Sequence, residues 1–366
     1  MIPAIALLVW IYLFFFHGKF WASGPELRPA RPLSYPDVDI VVPARDEAAT
    51  IAPVIASLTA QDYAGTFRVI LVDDNSTDGT GALAGAHPRL TVITGAPKPA
   101  GWSGKLWALH QGYTASTAPV LLFTDADILH DTRHLATLVA RLETPRVDMV
   151  SEMVRLNCKS WAERFLIPAF VYFFQMLYPF GRVNDPLNRT AAAAGGTVLV
   201  RREALARIGA IERIKSALID DVTLARELKR HGPIYLGHSG LAASIRPYPH
   251  IRDIWAMVTR TAFTQLNYSP LLLAGTLLGL ALVWLVAPYE MLFGSGWRFD
   301  AGLLTAILAV LSYFPTLERY RQSKLFAAAL PLIALVYMGA TLDSALKHWR
   351  GTGAQWKSRA YGDPAA

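Results

Sequence analysis

The sequence predicts an α/β fold, a mostly parallel sheet with helices on both faces, preceded and followed by transmembrane helices. Two observations carry this prediction. Between Val38 and about Arg246, short apolar runs alternate with helix-like segments, which is the pattern of parallel strand–helix–strand units. Uncharged hydrophobic stretches lie at both ends of the chain, and 53% of its 366 residues are hydrophobic, a high share for a soluble protein.

The N-terminal segment, residues 1–21, is predicted to be a retained membrane anchor. Ile2–Phe16 carries no charge, and the segment lacks the positive start and the cleavage site of a signal peptide. A spanning helix needs about 20 apolar residues, so this one reaches that length only if it continues to Trp21 with the Lys19 amine extended to the interface. Residues 22–36 are rich in proline and are predicted to be a linker.

Residues 37–246 are predicted to form one domain, and their length suffices for one. The apolar runs predict five strands: Val38–Val42, Arg68–Val72, Leu90–Thr94, Val120–Thr124 and Met149–Val154. The intervening segments predict five helices: Glu47–Gln61, Thr77–Ala86, Lys105–Ala115, Thr132–Leu142 and Val222–His231.

Several hydrophobic segments accompany this domain. Residues 161–180 are apolar but contain charges and prolines, so an interfacial helix and a buried core helix are both open. Residues 247–269 are predicted to be an interfacial amphipathic segment, and residues 343–366 a basic tail. Residues 270–342 hold three predicted transmembrane helices: Pro270–Phe293, Ala301–Leu317 and Leu325–Leu342.

Basic residues flank the domain on both sides, and they predict that it faces the cytoplasm, where Lys and Arg collect. They are Lys19, Arg28 and Arg31 before it, and Arg246, Arg252 and Arg260 after it. Three C-terminal spans would place the basic tail outside, against the same rule. Either one of these segments is re-entrant or the tail tolerates export.

The composition excludes some classes of site. The single cysteine, Cys158, rules out an internal disulfide framework and a zinc cluster built on cysteines. The net charge of +7 follows from the bias near membrane segments, and no basic stripe with interleaved aromatic residues indicates a nucleic-acid surface. No nucleic-acid partner is therefore expected.

Acidic residues mark the ends of two predicted strands and the start of one predicted helix. They are Asp73-Asp74, Asp125-Ala-Asp127 and Asp220-Asp221. Ligands bind where the carboxyl ends of parallel strands meet, and oxygen ligands two residues apart suit Mg²⁺ or Mn²⁺ bridged to a diphosphate. A structural cap is the alternative for Asp125 and Asp127. For Asp221 the alternatives are a general base and a helix cap.

Three further motifs are compatible with a nucleotide or sugar site. The end of the first strand, Pro43 to Glu47, is either the rim of a nucleotide site or the capped start of a helix. Gly101-Trp-Ser-Gly104-Lys105 lacks the Walker pattern, but Lys105 at a helix N-terminus suits a phosphate; the alternative is a solvated lysine. Gly195-Gly196 allows the backbone to approach a sugar closely.

In this order the residues resemble family 2 glycosyltransferases of the GT-A fold, over about Val38 to Arg246. The arrangement of membrane segments before and after the domain is similar to that of ceramide glucosyltransferase and, more closely, to that of bacterial glycosyltransferases associated with hopanoid biosynthesis. Gly101-Trp-Ser-Gly-Lys105 and Gln355–Tyr361 support the nearer group.

The resemblance implies roles for individual residues. Asp221 would be the catalytic base, and Asp127, with Asp125, would hold Mg²⁺ or Mn²⁺, Asp127 being the more direct ligand. A nucleotide-diphosphate sugar, expected to be a UDP-sugar, would be bound by Pro43, Ala44, Arg45, Glu47, Asp74, Lys105 and Asp125. Contacts with the acceptor or the sugar would come from Gly195, Gly196, Asp220 and Arg260.

One departure bears on the acceptor. Related membrane enzymes carry Q-x-x-R-W after the base, whereas Met257-Val-Thr-Arg260-Thr261 keeps only the arginine. A processive polymerase is therefore not expected.

The expected activity is inverting, metal-dependent transfer of one sugar to a hydroxyl of a membrane lipid, hopanoid, sphingolipid-like or other. The enzyme would be multi-pass in the bacterial inner membrane, in contact with the lipid bilayer. One alternative is a polyisoprenyl-phosphate sugar transferase, whose phosphate acceptor needs no base. Another is a non-catalytic membrane scaffold with a degenerate nucleotide fold, against which the intact acids argue.

Overall fold

The computed structural model describes residues 1–352 and two short strands at 355–356 and 359–360. The side chains of Gln355–Tyr361 and of the rest of the tail beyond residue 352 lie outside the described part. The chain forms two compact units. The helical unit comprises Met1–Gly24, Cys158–Gly181 and Tyr248–Ala354, and the sheet unit comprises Pro25–Asn157, Arg182–Pro247 and the two short strands.

The strands, numbered along the chain, are β1 (Glu26–Leu27), β2 (Val38–Ala44), β3 (Phe67–Asp73), β4 (Leu90–Thr94), β5 (Val120–Thr124), β6 (Ile128–His130), β7 (Met149–Arg155), β8 (Thr197–Arg201), β9 (Ile234–Ser244), β10 (Gln355–Trp356) and β11 (Arg359–Ala360). The first nine form one sheet in the order β1-β9-β7-β8-β5-β2-β3-β4, with β6 paired to β9. Five pairings are parallel, while β8 runs antiparallel to β5 and β7, and β6 runs antiparallel to β9. The predicted mostly parallel α/β sheet is confirmed.

The helices are α1 (Ile2–Phe15), α2 (Ile51–Thr59), α3 (Thr80–Leu83), α4 (Gly104–Ala115), α5 (His134–Glu143), α6 (Trp161–Leu177), α7 (Phe180–Asn184), α8 (Arg202–Arg207), α9 (Asp220–Lys229), α10 (Ile251–Thr259), α11 (Ala262–Gln265), α12 (Pro270–Trp284), α13 (Val286–Phe293), α14 (Trp297–Arg319) and α15 (Leu330–Trp349). Short 3₁₀ helices lie at Phe20–Ala22, Ile211–Ile214 and Lys324–Ala329.

The centre of the sheet is buried on both faces. Every residue of β2 and of β5 is buried, as expected for parallel strands covered by helices. Apolar residues of these strands pack in one core with α2 and α5. This core fixes where the carboxyl ends of β2, β3 and β5 lie.

All five predicted strands are present, each ending within two residues of its predicted bounds. Strands β1, β6, β8 and β9 were not predicted. Strand β9 was not predicted because its apolar run is interrupted by Gly237, His238, Ser239 and Gly240. Strand β8 is antiparallel and follows two glycines, so it does not fit the strand–helix alternation.

Two predicted helices are shorter than expected. The predicted helix Glu47–Gln61 begins only at Ile51, and Thr77–Ala86 is reduced to the single turn of α3. Within the second stretch, Gly79 and Gly85 have positive φ (84° and 75°), which no α-helix accommodates. The start of the first stretch is bound to another loop, since the amides of Glu47 and Ala48 donate to Thr80 Oγ1 and Asp78 Oδ2. Both stretches form loops instead.

Among the described residues, two helices of the helical unit are long and apolar enough to cross a membrane, namely α14 and the continuous stretch Lys324–Trp349. Helices α12 and α13 would together make a third, with a bend of 43° between them. Helix α1 is shorter than a span and does not continue to Trp21. It ends at Phe15 because Gly18 and Lys19 have positive φ, and the Trp21 indole donates back to the Phe14 carbonyl.

Helix α6, within residues 161–180, packs inside the helical unit. Its N-terminus has a capping box between Ser160 and Glu163. Leu166 and Val171 are fully buried, and the Tyr172 hydroxyl hydrogen-bonds Ser312 of α14. Trp161 remains 64% exposed.

Helix α15 begins close to the end of α14 and ends close to the start of α12. Arg298 of α14 pairs with Glu290 of α13 across the loop that connects these two helices. The stretch containing α15 starts at Lys324, five residues after α14 ends. At its other end, Ala345 shares an apolar cluster with Leu273 in the first turn of α12.

Candidate active site

A pocket opens at the carboxyl ends of β2 and β5 in the sheet unit. One wall is apolar and is formed by Leu106, Leu109, Phe123, Val198, Ile211, Ile214 and Leu224. The other carries Lys105, Asp125, Asp220 and Asp221. Pro43, Thr124 and Gly195 complete the lining. A mainly apolar cavity with a few convergent charges is the usual form of a small-molecule site.

Lys105 joins two of the acidic motifs. Its Nζ lies 2.8 Å from Asp125 Oδ1 and 3.4 Å from Asp220 Oδ2, and its side chain is only 17% exposed. Burial alone would lower the pKa of Lys105, but the carboxylates of Asp125 and Asp220 raise it. The lysine is therefore a fixed positive charge in the pocket, and the alternative of a solvated lysine is wrong.

Asp221 begins α9 beside this lysine. Withdrawal from water and the neighbouring Asp220 raise its pKa to about 7, against the opposing effect of Lys105. Its Oδ1 accepts from the Val222 amide at 2.7 Å. A side chain at Gly195 would have its Cβ 3.2 Å from Asp221 Oδ2 and 3.5 Å from Lys105 Nζ, so glycine leaves room in front of both groups. A carboxyl that titrates near neutrality suits a general base.

Asp127 is paired with a residue that sequence reasoning did not assign to the site. Arg246 Nε donates to Asp127 Oδ2 at 2.5 Å, and its Nη2 donates to Glu47 Oε1 at 2.6 Å. These two carboxylates raise the pKa of Arg246, although burial alone would lower it. Arg246 follows the end of β9, so the missed strand concealed its position.

Asp125 and Asp127 fit a divalent cation whose remaining ligands come from the substrate. Both supply carboxylate oxygens, the ligands that Mg²⁺ and Mn²⁺ prefer. Within the described residues, no group of three or more His, Cys, Asp or Glu side chains could hold a metal ion. Two carboxylates suffice when substrate phosphates complete the coordination sphere.

The loops after β2 and β3 are bound to each other beside the pocket. Arg45 Nη1 donates to the Asp74 carbonyl and lies 3.7 Å from Asp74 Oδ2, and the Glu47 amide donates to Thr80 Oγ1 at 2.8 Å. The Asp74 side chain is fully buried. The charged residues here serve a loop–loop junction, so the alternative of a capped helix start at Asp46 and Glu47 is wrong.

The structure brings most of the predicted site residues into the sheet unit. Pro43, Lys105, Asp125, Gly195, Asp220 and Asp221 line the pocket. Ala44, Arg45, Glu47, Asp74 and Asp127 lie at strand ends or in the loops that follow, and the Gly196 carbonyl accepts from the Asp125 amide at 3.4 Å. Arg260 belongs to the helical unit, directly after α10.

Comparison with known proteins agrees with this geometry. The family described as Glycosyl transferase family 2 matches residues 39–209, a range that contains the strand ends just described. Residues 39–209, which include α6 of the helical unit, are therefore similar to a family 2 glycosyltransferase domain. Asp220 and Asp221 lie beyond the matched range of this domain.

Relatives of this glycosyltransferase domain include characterised and uncharacterised proteins. An uncharacterised glycosyltransferase of Mycobacterium tuberculosis (strain ATCC 25618 / H37Rv) is 34% identical over 106 residues, 29% of this chain and 44% of the relative. The beta-monoglucosyldiacylglycerol synthase of Synechocystis sp. is 27% identical over 214 residues, 55% of this chain and 42% of the relative. The chain thus spans less than half the length of either relative.

Among solved structures, the chain is similar to the mannosyltransferase PcManGT from Pyrobaculum calidifontis, determined in complex with GDP-Man and Mn²⁺. The TM-score is 0.59 at 21% identity, over 95% of this chain and 99% of the other. At this identity the similarity supports the glycosyltransferase fold, of the GT-A type, and not a particular substrate.

Proposed function

We propose that this glycosyltransferase domain moves one sugar from a nucleotide-diphosphate sugar to a hydroxyl of a membrane lipid, with inversion at the anomeric carbon. The observation that carries the proposal is the pocket in which Asp221, with its pKa raised to about 7, faces the fixed charge of Lys105. One group can accept a proton there, and the other can balance negative charge on a leaving group.

The reaction uses the two groups at different atoms. The acceptor oxygen attacks the anomeric carbon, the bond from that carbon to the diphosphate oxygen breaks, and Asp221 takes the hydroxyl proton. The electron pair leaves with the diphosphate. Lys105, at the first turn of α4, offsets the developing charge. A single displacement of this kind inverts the anomeric configuration.

The donor nucleotide would lie against the end of β2 and the loop after β3. Pro43 and Ala44 supply an apolar edge, and Arg45, Glu47 and Asp74 supply hydrogen-bonding groups for a base and a ribose. The resemblance favours a UDP-sugar, whereas the structure of PcManGT is of a complex with GDP-Man and Mn²⁺, so the test below includes both nucleotides.

Asp125 and Asp127 would hold Mg²⁺ or Mn²⁺ at the diphosphate. When bound, the ion neutralises charge on the diphosphate and makes it a better leaving group. Arg246 occupies Asp127 Oδ2 in this structure, so it has to exchange this carboxylate for another acceptor before Asp127 binds a cation.

The acceptor is proposed to be a lipid because apolar helices accompany the domain. The beta-monoglucosyldiacylglycerol synthase relative supports a hydroxyl of a lipid as the acceptor. Hopanoid and sphingolipid-like acceptors remain predictions from the resemblance. Gly195, Gly196, Asp220 and Arg260 are proposed to contact the acceptor or the sugar.

The proposal predicts transfer from a nucleotide sugar to a lipid by the purified full chain. The protein would be incubated with UDP- and GDP-sugars and with diacylglycerol, ceramide, a hopanoid alcohol and a polyprenyl phosphate, and the products followed by mass. A product one hexose heavier than a lipid alcohol is expected. Product on polyprenyl phosphate alone would favour the alternative transferase, which needs no base. No product, together with no nucleotide binding, would favour a non-catalytic scaffold.

We also propose that the C-terminal tail lies on the same side of the membrane as the sheet unit. Helix α15 begins near the end of α14 and ends near the start of α12. In the proposed arrangement α12–α13 and α14 each cross the membrane once, and α15 returns to the side on which it begins. The basic residues Lys347 and Arg350 then comply with the positive-inside rule. This arrangement corresponds to the re-entrant alternative.

The chain has one cysteine, which makes the topology directly measurable. In a Cys158→Ser background, a cysteine at Ser295, in the exposed loop between α13 and α14, should react with a membrane-impermeant maleimide added to intact cells. A cysteine at Thr352 should react only after the membrane is permeabilised. Labelling of position 352 in intact cells would contradict a re-entrant α15.

A further inference from the structure

A chain of four polar side chains crosses the core of the sheet unit and ends at the pocket. Glu152 Oε2 of β7 lies 2.6 Å from His134 Nε2, and His134 Nδ1 lies 2.8 Å from His130 Nδ1. His130 Nε2 lies 3.0 Å from Thr124 Oγ1, and Thr124 lines the pocket next to Asp125. All four side chains are buried, so water cannot substitute for a lost partner.

The direction of these hydrogen bonds follows from one hydroxyl proton. Thr124 Oγ1 lies 2.9 Å from the Gly196 carbonyl oxygen, which can only accept, so the threonine proton points there. His130 Nε2 must then donate to Thr124, and His130 Nδ1 must accept from His134 Nδ1. Burial and the neighbouring His134 lower the pKa of His130, in agreement with a neutral ring that donates at one nitrogen and accepts at the other.

The same reasoning fixes the far end of the chain. With His134 Nδ1 donating, a proton must lie between His134 Nε2 and Glu152 Oε2, either on the carboxyl or on the ring. Glu152 Oε1 is buried and has no hydrogen-bond partner among the described residues. The Glu152–His134 pair thus holds one proton more than an ionised carboxylate and a neutral imidazole would. Every hydrogen bond in the chain is donated in the direction of the Gly196 carbonyl.

The Gly196 carbonyl connects the chain to two pocket residues. It also accepts from the Asp125 amide, at 3.4 Å. Its neighbour Gly195 donates its backbone amide to Asp221. The position of this turn therefore affects both the carboxylate that pairs with Lys105 and the carboxylate proposed as the base.

We propose that Glu152, His134, His130 and Thr124 are positioning residues, which hold the Gly195–Gly196 turn and thereby the separation of Asp125 and Asp221 through one directed chain of hydrogen bonds. This inference rests on the proposed function for its effect on transfer, but not for its effect on the turn. None of the four residues needs to touch the substrate to act in this way, although Thr124 also lies in the pocket lining.

Thr124→Val and Thr124→Ser form a matched pair, because valine keeps the shape and removes the hydroxyl, while serine keeps the hydroxyl. In Thr124→Val, kcat is expected to fall about ten- to a hundredfold, the scale of a small misplacement of reacting groups. The dissociation constant of the nucleotide should change less than about threefold, because the Arg45–Asp74 junction is outside the chain. Thr124→Ser should restore kcat to within about twofold of the parent protein.

A second readout does not depend on catalysis. Hydrogen–deuterium exchange of residues 191–198 should accelerate in Thr124→Val and remain unchanged in Thr124→Ser. If exchange accelerates in Thr124→Val but the parent protein shows no transfer activity, the positioning role of the chain is supported. That result would count against the proposed function alone. Equal exchange in the two variants would overturn the positioning role.

Substitutions at the far end test the direction of the chain. Glu152→Gln carries an amide that can donate to His134 Nε2, as the chain requires, whereas Glu152→Leu cannot. Glu152→Gln is expected to retain the exchange rate and kcat of the parent protein, and Glu152→Leu to resemble Thr124→Val. If Glu152→Gln were as impaired as Glu152→Leu, with both folded by circular dichroism, a hydrogen-bond donor at position 152 would not sustain the chain and its proposed direction would be refuted.

Discussion

Replacing Asp221 by asparagine is expected to lower sugar transfer by about 10²–10⁴-fold, the usual contribution of a general base. The amide keeps the shape and still accepts from the Val222 amide, so folding and the binding of nucleotide and metal should persist. Single-turnover transfer and the dissociation constant of the nucleotide would be measured on the same preparation.

Asp220→Asn is the matched control, since Asp220 pairs with Lys105 at 3.4 Å and takes no proton in the proposed step; its loss should be smaller. The pH profile gives a second check. Because the pKa of Asp221 is raised to about 7, its carboxylate form accumulates as the pH rises, and kcat/KM should increase through this pH and then level off. Asp221→Asn should lack that increase. Near-normal transfer in this variant would favour a phosphate acceptor instead.

Removing the divalent cation is expected to abolish transfer, and added Mg²⁺ or Mn²⁺ should restore it. Asp127→Asn should weaken metal-dependent binding of the donor by at least about tenfold, since it removes one of only two protein ligands. Isothermal titration with the nucleotide, with and without the metal, would measure this without relying on activity.

The control for the metal prediction is Glu47→Gln, which removes one of the two carboxylates that hold Arg246 but leaves both proposed ligands in place. It should alter nucleotide binding equally with and without the metal. Transfer that continues unchanged in EDTA would refute the assignment of Asp125 and Asp127 as metal ligands.

The sheet was predictable because its strands have a strong local signal. Residues 120–123 and 69–72 are buried and apolar throughout, and acidic residues follow each run within two positions. The first turns of the predicted helices were not predictable in the same way. The loop before α2 is held by hydrogen bonds from the amides of residues 46–48 to side chains about 30 residues later, and no local pattern encodes them.

The candidate site shows the same division. Asp125, Asp127 and Asp221 could be predicted as site residues because carboxylates at strand ends and helix starts form a recognisable pattern. The pairing of Arg246 with Asp127 spans 119 residues, and it depends on a strand whose glycines and polar residues hide it. The buried chain from Glu152 to Thr124 left no signal either, since its histidines match no ligand motif.

The interrupted layout of the helical unit has a consequence for biosynthesis. Helix α6 is made 140 residues before Ser312 and 171 residues before Tyr337, which hydrogen-bonds the Leu166 carbonyl. At roughly 5–20 residues per second, α6 must wait on the order of ten seconds or more for these partners. Trp10 waits longer still for the Val283 carbonyl, 273 residues later. During translation the apolar faces of these two helices need lipid, the insertion machinery or a chaperone as a temporary partner.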